Sequence, residues 1–447
     1  MNNTFLDMRD KYSEFIYDSY NVNEDSHCYK LQYKFVIPKL CEFNPTIEIE
    51  KDYLKNNNIN KEFLNLLVFH LGLVELISYY KSVCSKKIII KCGYLDEEQK
   101  NWWKKLYYNG LGEFFYTNNI RINLDELCEI EVMGEKTDTK ILYKGEGNLI
   151  PIGGGKDSCV SLELLKELNN TAIIINPKEV TLNVAKIAGY ENNTIKIYRK
   201  IDENLIELNN KGYLNGHTPF SALVAFLTYL CAYLSNKKYI VLSNEASANE
   251  PTVPGTNINH QYSKTYEFEN DFNNYTKKYF NIDIKYFSLL RPLMEIEIAK
   301  LFSKYNKYHS IFKSCNVGSK KTPWEWCSNC PKCLFVYIIL SPFIKKEELI
   351  NIFGVDMFEN KELLEIFKEL LGVSETKPFE CIGTYEEVKL AISLTIKKHE
   401  GELPYLLNWY QNNMSIYDDE KLLTYYNEEN NLDDEFIKII KEALYNE

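Results

Sequence analysis

Three consecutive glycines, Gly153, Gly154 and Gly155, are followed by Lys156, Asp157 and Ser158 in the stretch NLIPIGGGKDSCVSLELLKEL. A short apolar run precedes them and a helical pattern follows. Glycines at such a turn let the backbone come close to a ligand, and the unpaired N–H groups of the next helix attract an anion. The chemistry on offer is a phosphate seat. The spacing departs from the P-loop, G-x-x-x-x-G-K-[ST], because only two residues separate Gly153 from Lys156 and an aspartate comes next. A tight strand-to-helix turn without a ligand is the other reading of the same residues.

A second constellation is SCNVGSKKTPWEWCSNCPKC, where Cys315, Cys327, Cys330 and Cys333 are spaced C-x11-C-x2-C-x2-C. Four thiolates at short loop spacing suit a tetrahedral, structural Zn2+. Reduced thiols at a helix start, or an iron–sulfur cluster, remain alternatives. The chain has twelve cysteines; those outside this cluster are scattered and read as reduced thiols rather than a disulfide framework.

The elements that must position these residues point to an α/β fold. From Asn148 onward strand-like runs (NLIPI, TAIIINP, TIKIYRK, YIVLSNE) alternate with helical ones (DSCVSLELLKEL, EVTLNVAKIAGY, TPFSALVAFLTYLCAYL), which predicts a central parallel sheet wound by right-handed crossovers. Residues 1–147 read as an N-terminal α+β module, 148–340 as the wound domain with its cysteine cluster, and 341–447 as a C-terminal helical region. A chain of 447 residues suits two or three domains. The aromatic run Trp102, Trp103, Tyr107, Tyr108, Phe114 and Phe115 is either core or a platform for a sugar or base. A net charge of -11 gives no field that would attract a polyanion, so no nucleic-acid partner is expected. No run of about 18 apolar residues and no basic-then-apolar N-terminus stand out, so the expected location is the cytoplasm, without a membrane partner.

With these residues in view, GGGKDS resembles the pyrophosphate loop S-G-G-x-D-S of the N-type, or PP-loop, ATP pyrophosphatases, with Gly153 in place of serine. The resemblance implies a HUP-like sheet, ATP cleaved between its first and second phosphorus atoms, and a loop that grips the departing pyrophosphate. Gly153 removes one hydroxyl donor from that grip. Asp157 would then help hold Mg2+ between phosphate oxygens. The cysteine spacing resembles the zinc knot of 7-cyano-7-deazaguanine synthase-like enzymes.

Longer strings narrow the family. NGHTPFSALVAFL, LSNEASANEP, NHQYSKTYEFE, YFSLLRPLMEIEIAKLF, WCSNCPKCLFVY, KPFECIGTYEE, FHLGLVELISYYK and WWKKLYYNGLGEFFY are similar to the bacterial UDP-N-acetylmuramoyl-L-alanyl-L-glutamate epimerases over residues 60 to 390. That resemblance implies ATP-dependent inversion of the terminal L-glutamate of the UDP-linked dipeptide, with release of AMP and pyrophosphate. The alternatives carried beside it are a PP-loop enzyme that amidates, ligates or thiolates another carboxylate or a nucleobase, and a nucleotide-binding module without turnover.

Within that frame the remaining candidates take roles. Only four of the 52 Lys and Arg residues are arginine, so forked recognition of phosphate or carboxylate falls on few side chains. Arg199, ending TIKIYR, is read as a nucleotide contact or a surface charge, and Arg291 as a phosphate contact or the partner of a nearby acid. His217, in NGHTP before a helix, is a group near the nucleotide or a turn residue. Asn244, Glu245 and Glu250 follow strand YIVL and would hold Mg2+ or the substrate amine, or merely cap a helix. His260 and Lys264 in NHQYSK suit acid–base work or a carboxylate grip. Inversion needs a proton acceptor and a donor on opposite faces, which makes Cys381, beside Lys377 and Glu380, a thiol candidate; a buried structural cysteine is the other reading.

Overall fold

The computed structural model describes residues 3–136, 139–250, 259, 262–374 and 377–445. The chain forms two compact units, each assembled from three segments. One takes residues 1–149, 195–240 and 261–286, the other 150–194, 241–260 and 287–447. The structure is mixed α/β.

In the first unit the strands Glu14–Glu24, Cys28–Ile37 and Thr46–Glu50 form an antiparallel ribbon, with Leu31 opposite Val22 on one side and Ile47 on the other. Cys28–Ile37 alternates strictly between half-buried and buried residues, the period-2 signature of a strand with one face on a core. Lys87–Ile90 joins Glu14–Glu24 in parallel, and Glu129–Val132 joins Lys87–Ile90 in parallel. Thr194–Lys200, expected as a strand of a parallel sheet, runs antiparallel to Thr46–Glu50 with Arg199 opposite Ile47. The sheet is therefore mixed, with parallel pairs beside the antiparallel ribbon. A helix-strand alternation specifies elements but not the partner that a strand's free edge will find. The expected parallel pairing does occur between Tyr239–Leu242 and Asn148–Pro151.

The helix Lys61–Glu75 starts at Asn60, whose side chain accepts from the Phe63 amide. It packs on Phe220–Leu234, with Phe63 edge-on to Tyr233 at 4.9 Å. Continued through Tyr80, it is 20 residues long and apolar enough to cross a membrane by length and composition, but 83% of the apolar window is buried inside the protein. Its apolar surface is spent on the core, which explains why a helix bordered by charges in the sequence is so uniformly hydrophobic within. Trp103, Tyr107, Phe114 and Phe115 are buried, so the aromatic run is core.

In the second unit Asn170–Ile175 is buried along almost its whole length, as expected for a strand covered on both faces. The Ile152 amide donates to the Ile173 carbonyl at 2.9 Å and the Leu289 amide to the Leu242 carbonyl at 2.8 Å. Helix Pro331–Leu340 has no exposed residue after Pro331. It is surrounded by Glu295–Ser303, Lys346–Phe353, Leu364–Leu370 and Tyr385–Lys398, and a helix hydrophobic all round needs such enclosure.

Candidate active site at the glycine turn

The glycine turn lies in the second unit. Gly153 is exposed, and a Cβ built on it would meet nothing within 4 Å, so this face is open to a ligand. Gly154 has a φ of +87°, in the left-handed region, where only glycine sits without strain. Its carbonyl accepts from the Lys313 amide at 2.9 Å, and a Cβ on it would lie 3.0 Å from Val180 Cγ1. Gly155 is the N-cap of helix Lys156–Leu164, and no side chain caps that helix. The turn thus presents backbone N–H groups and the positive end of a helix dipole beside open space, which is what an anion requires.

Lys156 and Glu295 are the first residues of two helices, Lys156–Leu164 and Glu295–Ser303, that pack against each other. Both side chains are buried, and the Lys156 ammonium donates to Glu295 Oε2 and to Asp157 Oδ1. A cation at a helix start is disfavoured by the dipole and by burial. Burial works against the Lys156 charge, but Asp157 and Glu295 outweigh it and hold the ammonium pKa above its ordinary value. Burial pushes the Glu295 carboxyl up, opposed by Lys156 and reinforced by the charges of Asp157 and Glu245. Asp157 keeps 29% of its side chain exposed, so one carboxylate of the trio still faces solvent.

The sequence-predicted residues sort by unit. Asn244, Glu245 and Arg291 belong to the same unit as the turn. Asn244 Nδ2 donates to Ser288 Oγ at 2.9 Å, and the fully buried Arg291 donates from Nη1 to the Glu245 carbonyl at 2.9 Å. Ser158 Oγ donates to the Gly155 carbonyl at 2.9 Å, bracing the turn from inside. Cys381 is half-buried, and its carbonyl accepts from Lys332 Nζ. Around it, Lys377 pairs with Glu250 at 3.2 Å and Asn316 Nδ2 donates to Glu380 Oε2 at 2.6 Å.

Arg199, His217 and Lys264 belong to the first unit. Arg199 makes a forked pair with the buried Glu75, Nε to Oε2 at 2.7 Å and Nη2 to Oε1 at 3.0 Å, and also reaches Ser78 Oγ at 3.0 Å. Its guanidinium is thus engaged by a protein carboxylate. His217 Nδ1 stands 3.7 Å from Glu113 Oε2. Lys264 ends the short turn Tyr262–Lys264 and is half-buried. His260 lies outside the described residues.

Sequence reasoning missed Glu295 and Lys332, although both stand in quoted segments. Glu295 had one usable signal: an acid opening the helix that comes after strand Lys285–Ser288, on the side where an open sheet binds its ligand.

The four cysteine sulfurs of Cys315, Cys327, Cys330 and Cys333 lie within 4.8 Å of one another. Individual Sγ–Sγ separations are 3.4 Å for Cys330–Cys333, 3.6 Å for Cys327–Cys333 and 3.9 Å for Cys315–Cys330. A tetrahedron with Zn–S bonds of about 2.3 Å places its sulfurs roughly 3.8 Å apart. The donor set and spacing fit Zn2+. The Gly318 amide donates to Cys315 Sγ at 3.1 Å, the outer hydrogen bond a thiolate ligand calls for.

Comparison with known proteins decides the family. The MurL N-terminal domain matches residues 7–289 and the MurL C-terminal domain residues 311–421. A protein of Xanthomonas oryzae pv. oryzae (strain MAFF 311018), named UDP-N-acetyl-alpha-D-muramoyl-L-alanyl-L-glutamate epimerase, is 33% identical over 338 residues, 74% of each chain. Proteins of the same name from Micromonospora sp. (strain ATCC 39149 / NRRL 15099 / SCC 1413) and Salinispora tropica are 34% identical over 336 residues and 35% over 332. These cover 74% and 72% of each chain. The chain belongs to the MurL epimerase family. Its relatives are named as epimerases, which are isomerases. No solved structure matches this chain. The glycine turn lies in the N-terminal match, and the cysteine cluster and Cys381 lie in the C-terminal one. Glu295 falls between the two matched stretches.

Proposed function

We propose that this protein inverts the α-carbon of the terminal L-glutamate of UDP-linked N-acetylmuramoyl-L-alanyl-L-glutamate, using ATP to activate the glutamate carboxyl group as an acyl adenylate. The observation that carries the ATP step is the open glycine turn leading into an uncapped helix start with Lys156 held at it. The family supports the substrate, since relatives sharing about three quarters of the chain are named for it. On this reading the second unit has the PP-loop, HUP-like fold. Residues 1–147 contact the substrate, 148–340 handle the nucleotide, and 341–447 buttress the site.

The chemistry gives the reason for ATP. Taking the α-proton beside a carboxylate builds negative charge next to an existing negative charge, so the barrier is very high. The carboxylate oxygen attacks the α-phosphorus of ATP, pyrophosphate leaves, and the resulting mixed anhydride carries no charge on the acyl group. Its α-proton is then acidic enough for a protein base. A proton returned on the opposite face gives the D configuration, and water cleaves the anhydride to release AMP and the free carboxylate. The amides of the turn and Lys156 bind the departing pyrophosphate. Asp157, Glu245 and Asn244 are the oxygen donors that would hold Mg2+, which supplies charge neutralisation on the phosphates. Cys381, Lys264 and His260 are the candidates for moving the α-proton. The zinc cluster would be structural: Lys313 and Ser314, next to the ligand Cys315, form the back wall of the glycine turn. The reaction would supply D-glutamate for peptidoglycan in the cytoplasm, where nucleotide-linked precursors are made.

The test is chiral analysis of the dipeptide's glutamate after incubation with ATP and Mg2+, with AMP and pyrophosphate measured in parallel. D-Glutamate and AMP are expected from the wild type, and Asp157→Asn should lower both by roughly 100-fold or more. Formation of ADP, or abundant AMP with the glutamate entirely in the L form, would reject the proposal.

A further inference from the structure

The segment Lys377–Glu387 is the motif KPFECIGTYEE, which the proposed chemistry uses only through Cys381. Its last residue explains more of the structure. Glu387 is completely buried. One carboxylate oxygen, Oε1, accepts from the Ile296 amide at 3.0 Å, and the other, Oε2, accepts from the Thr384 amide at 2.8 Å. Ile296 is the residue after Glu295, so the first bond holds the helix start that presents Glu295 to Lys156. Glu297 Oε2 accepts from the Met294 amide at 2.8 Å and leaves the Ile296 amide, an unpaired donor of the first turn, to Glu387. The cap therefore comes from a group 91 residues away in sequence.

The packing around it is close. A Cβ on Gly383 would stand 2.7 Å from Glu387 Oε2 and 3.2 Å from both the Glu295 Cβ and Phe335 Cζ. Only a residue without a side chain lets the segment pass this near to Glu295. Lys332, on the helix that also carries Cys333, secures the same segment through the Cys381 carbonyl. Burying a carboxylate is costly, and burial pushes the Glu387 carboxyl up to about 7 despite two amide donors. A neutral side chain would cap this helix more cheaply.

We propose that Glu387 is a positioning residue for the loop lysine: it fixes the helix start at Ile296, this fixes Glu295, and Glu295 holds the Lys156 ammonium at the glycine turn. The inference rests on the reading of that turn as the ATP pyrophosphate seat. The C-terminal matched domain thereby sets the geometry of a nucleotide site whose glycine turn belongs to the N-terminal one.

The test compares full-length wild type, Glu295→Gln, Glu387→Gln and the double variant. Two readouts are used, steady-state pyrophosphate release and equilibrium binding of ATP. Glu387→Gln turns one acceptor into a donor facing an amide, so it should raise the KM for ATP by about 5- to 10-fold while the KM for the dipeptide stays within about 2-fold. Glu295→Gln should have the same pattern and a larger size. The double variant should match Glu295→Gln alone, because residues acting through one another are not additive. Gly383→Ala, which presses on the same carboxylate without changing its charge, should reproduce the ATP effect and covers the case in which Glu387→Gln does not fold. Effects that multiply in the double variant, or an equal loss for both substrates, would overturn the relay and leave Glu387 merely structural. Wild-type protein that binds no ATP would overturn the nucleotide reading and the relay together. Wild type and variants that bind ATP equally well would overturn the relay alone.

Discussion

Each unit buries a polar cluster, and the two clusters are built on opposite principles. In the first unit His70, Gln99, Trp103 and Tyr275 form a neutral network around one phenol oxygen. His70 Nδ1 lies 2.8 Å from the Leu66 carbonyl, which can only accept, so Nδ1 carries the proton. Burial lowers the His70 pKa to about 4, which leaves the ring neutral and Nε2 an acceptor. Tyr275 therefore donates to Nε2 at 2.9 Å and accepts from Gln99 Nε2 at 2.9 Å and Trp103 Nε1 at 3.0 Å. One donor and two lone pairs are all used, and nothing is left over for a ligand. In the second unit Lys156 is shared between two acids, Asp157 remains partly exposed, and further buried carboxyls stand close by. A saturated neutral network holds a fold together; a charged one with an open side has capacity to bind.

Cutting the charged cluster tests that contrast most severely. Lys156→Ala should reduce ATP-dependent pyrophosphate release by roughly 1,000-fold, because it removes a preorganised cation and leaves Glu295 buried without its partner. The matching cut in the neutral cluster, Tyr275→Phe, should leave kcat within about 2-fold. Turnover assays on both variants sharpen the contrast; equal losses would break it.

Next in size is the proposed metal. If the four thiolates hold Zn2+, the wild type should contain about one zinc by elemental analysis and Cys330→Ser none, with the second unit destabilised by several kcal/mol, on the order expected for loss of a structural zinc site. Because Lys313 and Ser314 back the glycine turn beside Cys315, the KM for ATP should rise as well. Zinc absent from the wild type, or unchanged in Cys330→Ser, would mean that these thiols hold no structural Zn2+.

Tyr275→Phe should cost about 2–3 kcal/mol in urea unfolding, since Gln99, Trp103 and His70 each lose their partner in a buried setting. A cost near zero would mean that water or rearrangement replaces the phenol.

The smallest effect is a pH slope. Burial raises the Glu297 carboxyl from 4.5 to about 8, with the Glu387 charge adding to it and Lys300 opposing, and raises Glu387 from 4.5 to about 7. Between pH 4.5 and about 8 the folded protein holds protons that the unfolded chain has released, so stability falls as pH rises and levels off above that window. Glu297→Gln should flatten the slope in unfolding midpoints measured from pH 5 to 8. His70, lowered by burial from 6.5 to about 4, gives an opposing slope below about pH 7, where the unfolded chain binds a proton that the folded ring does not. A midpoint that rises between pH 7 and 8 would contradict the assigned burial of the carboxyls.

Much of this was legible in the chain. The glycine run, the C-x2-C-x2-C spacing and the alternation of strand and helix patterns are local, and local sequence sets backbone freedom, metal-ligand reach and the face an element must bury. Arg199 shows the limit. Its place at a strand end was readable, but its partner Glu75 lies 124 residues away. The antiparallel pairing of Thr194–Lys200 with Thr46–Glu50 was equally hidden, since either orientation satisfies the same hydrophobic pattern.

By itself, the sequence determined which turn leaves its backbone open, which cysteines lie together, and which family the chain belongs to. Only the tertiary structure decided what surrounds them. Glu295 meets Lys156 across 139 residues, Glu387 reaches Ile296 across 91, and His70 meets Tyr275 across 205. Contacts at such separations follow from which helices pack together, and that is settled by burying apolar faces collectively, without regard to the polar residues those faces happen to carry.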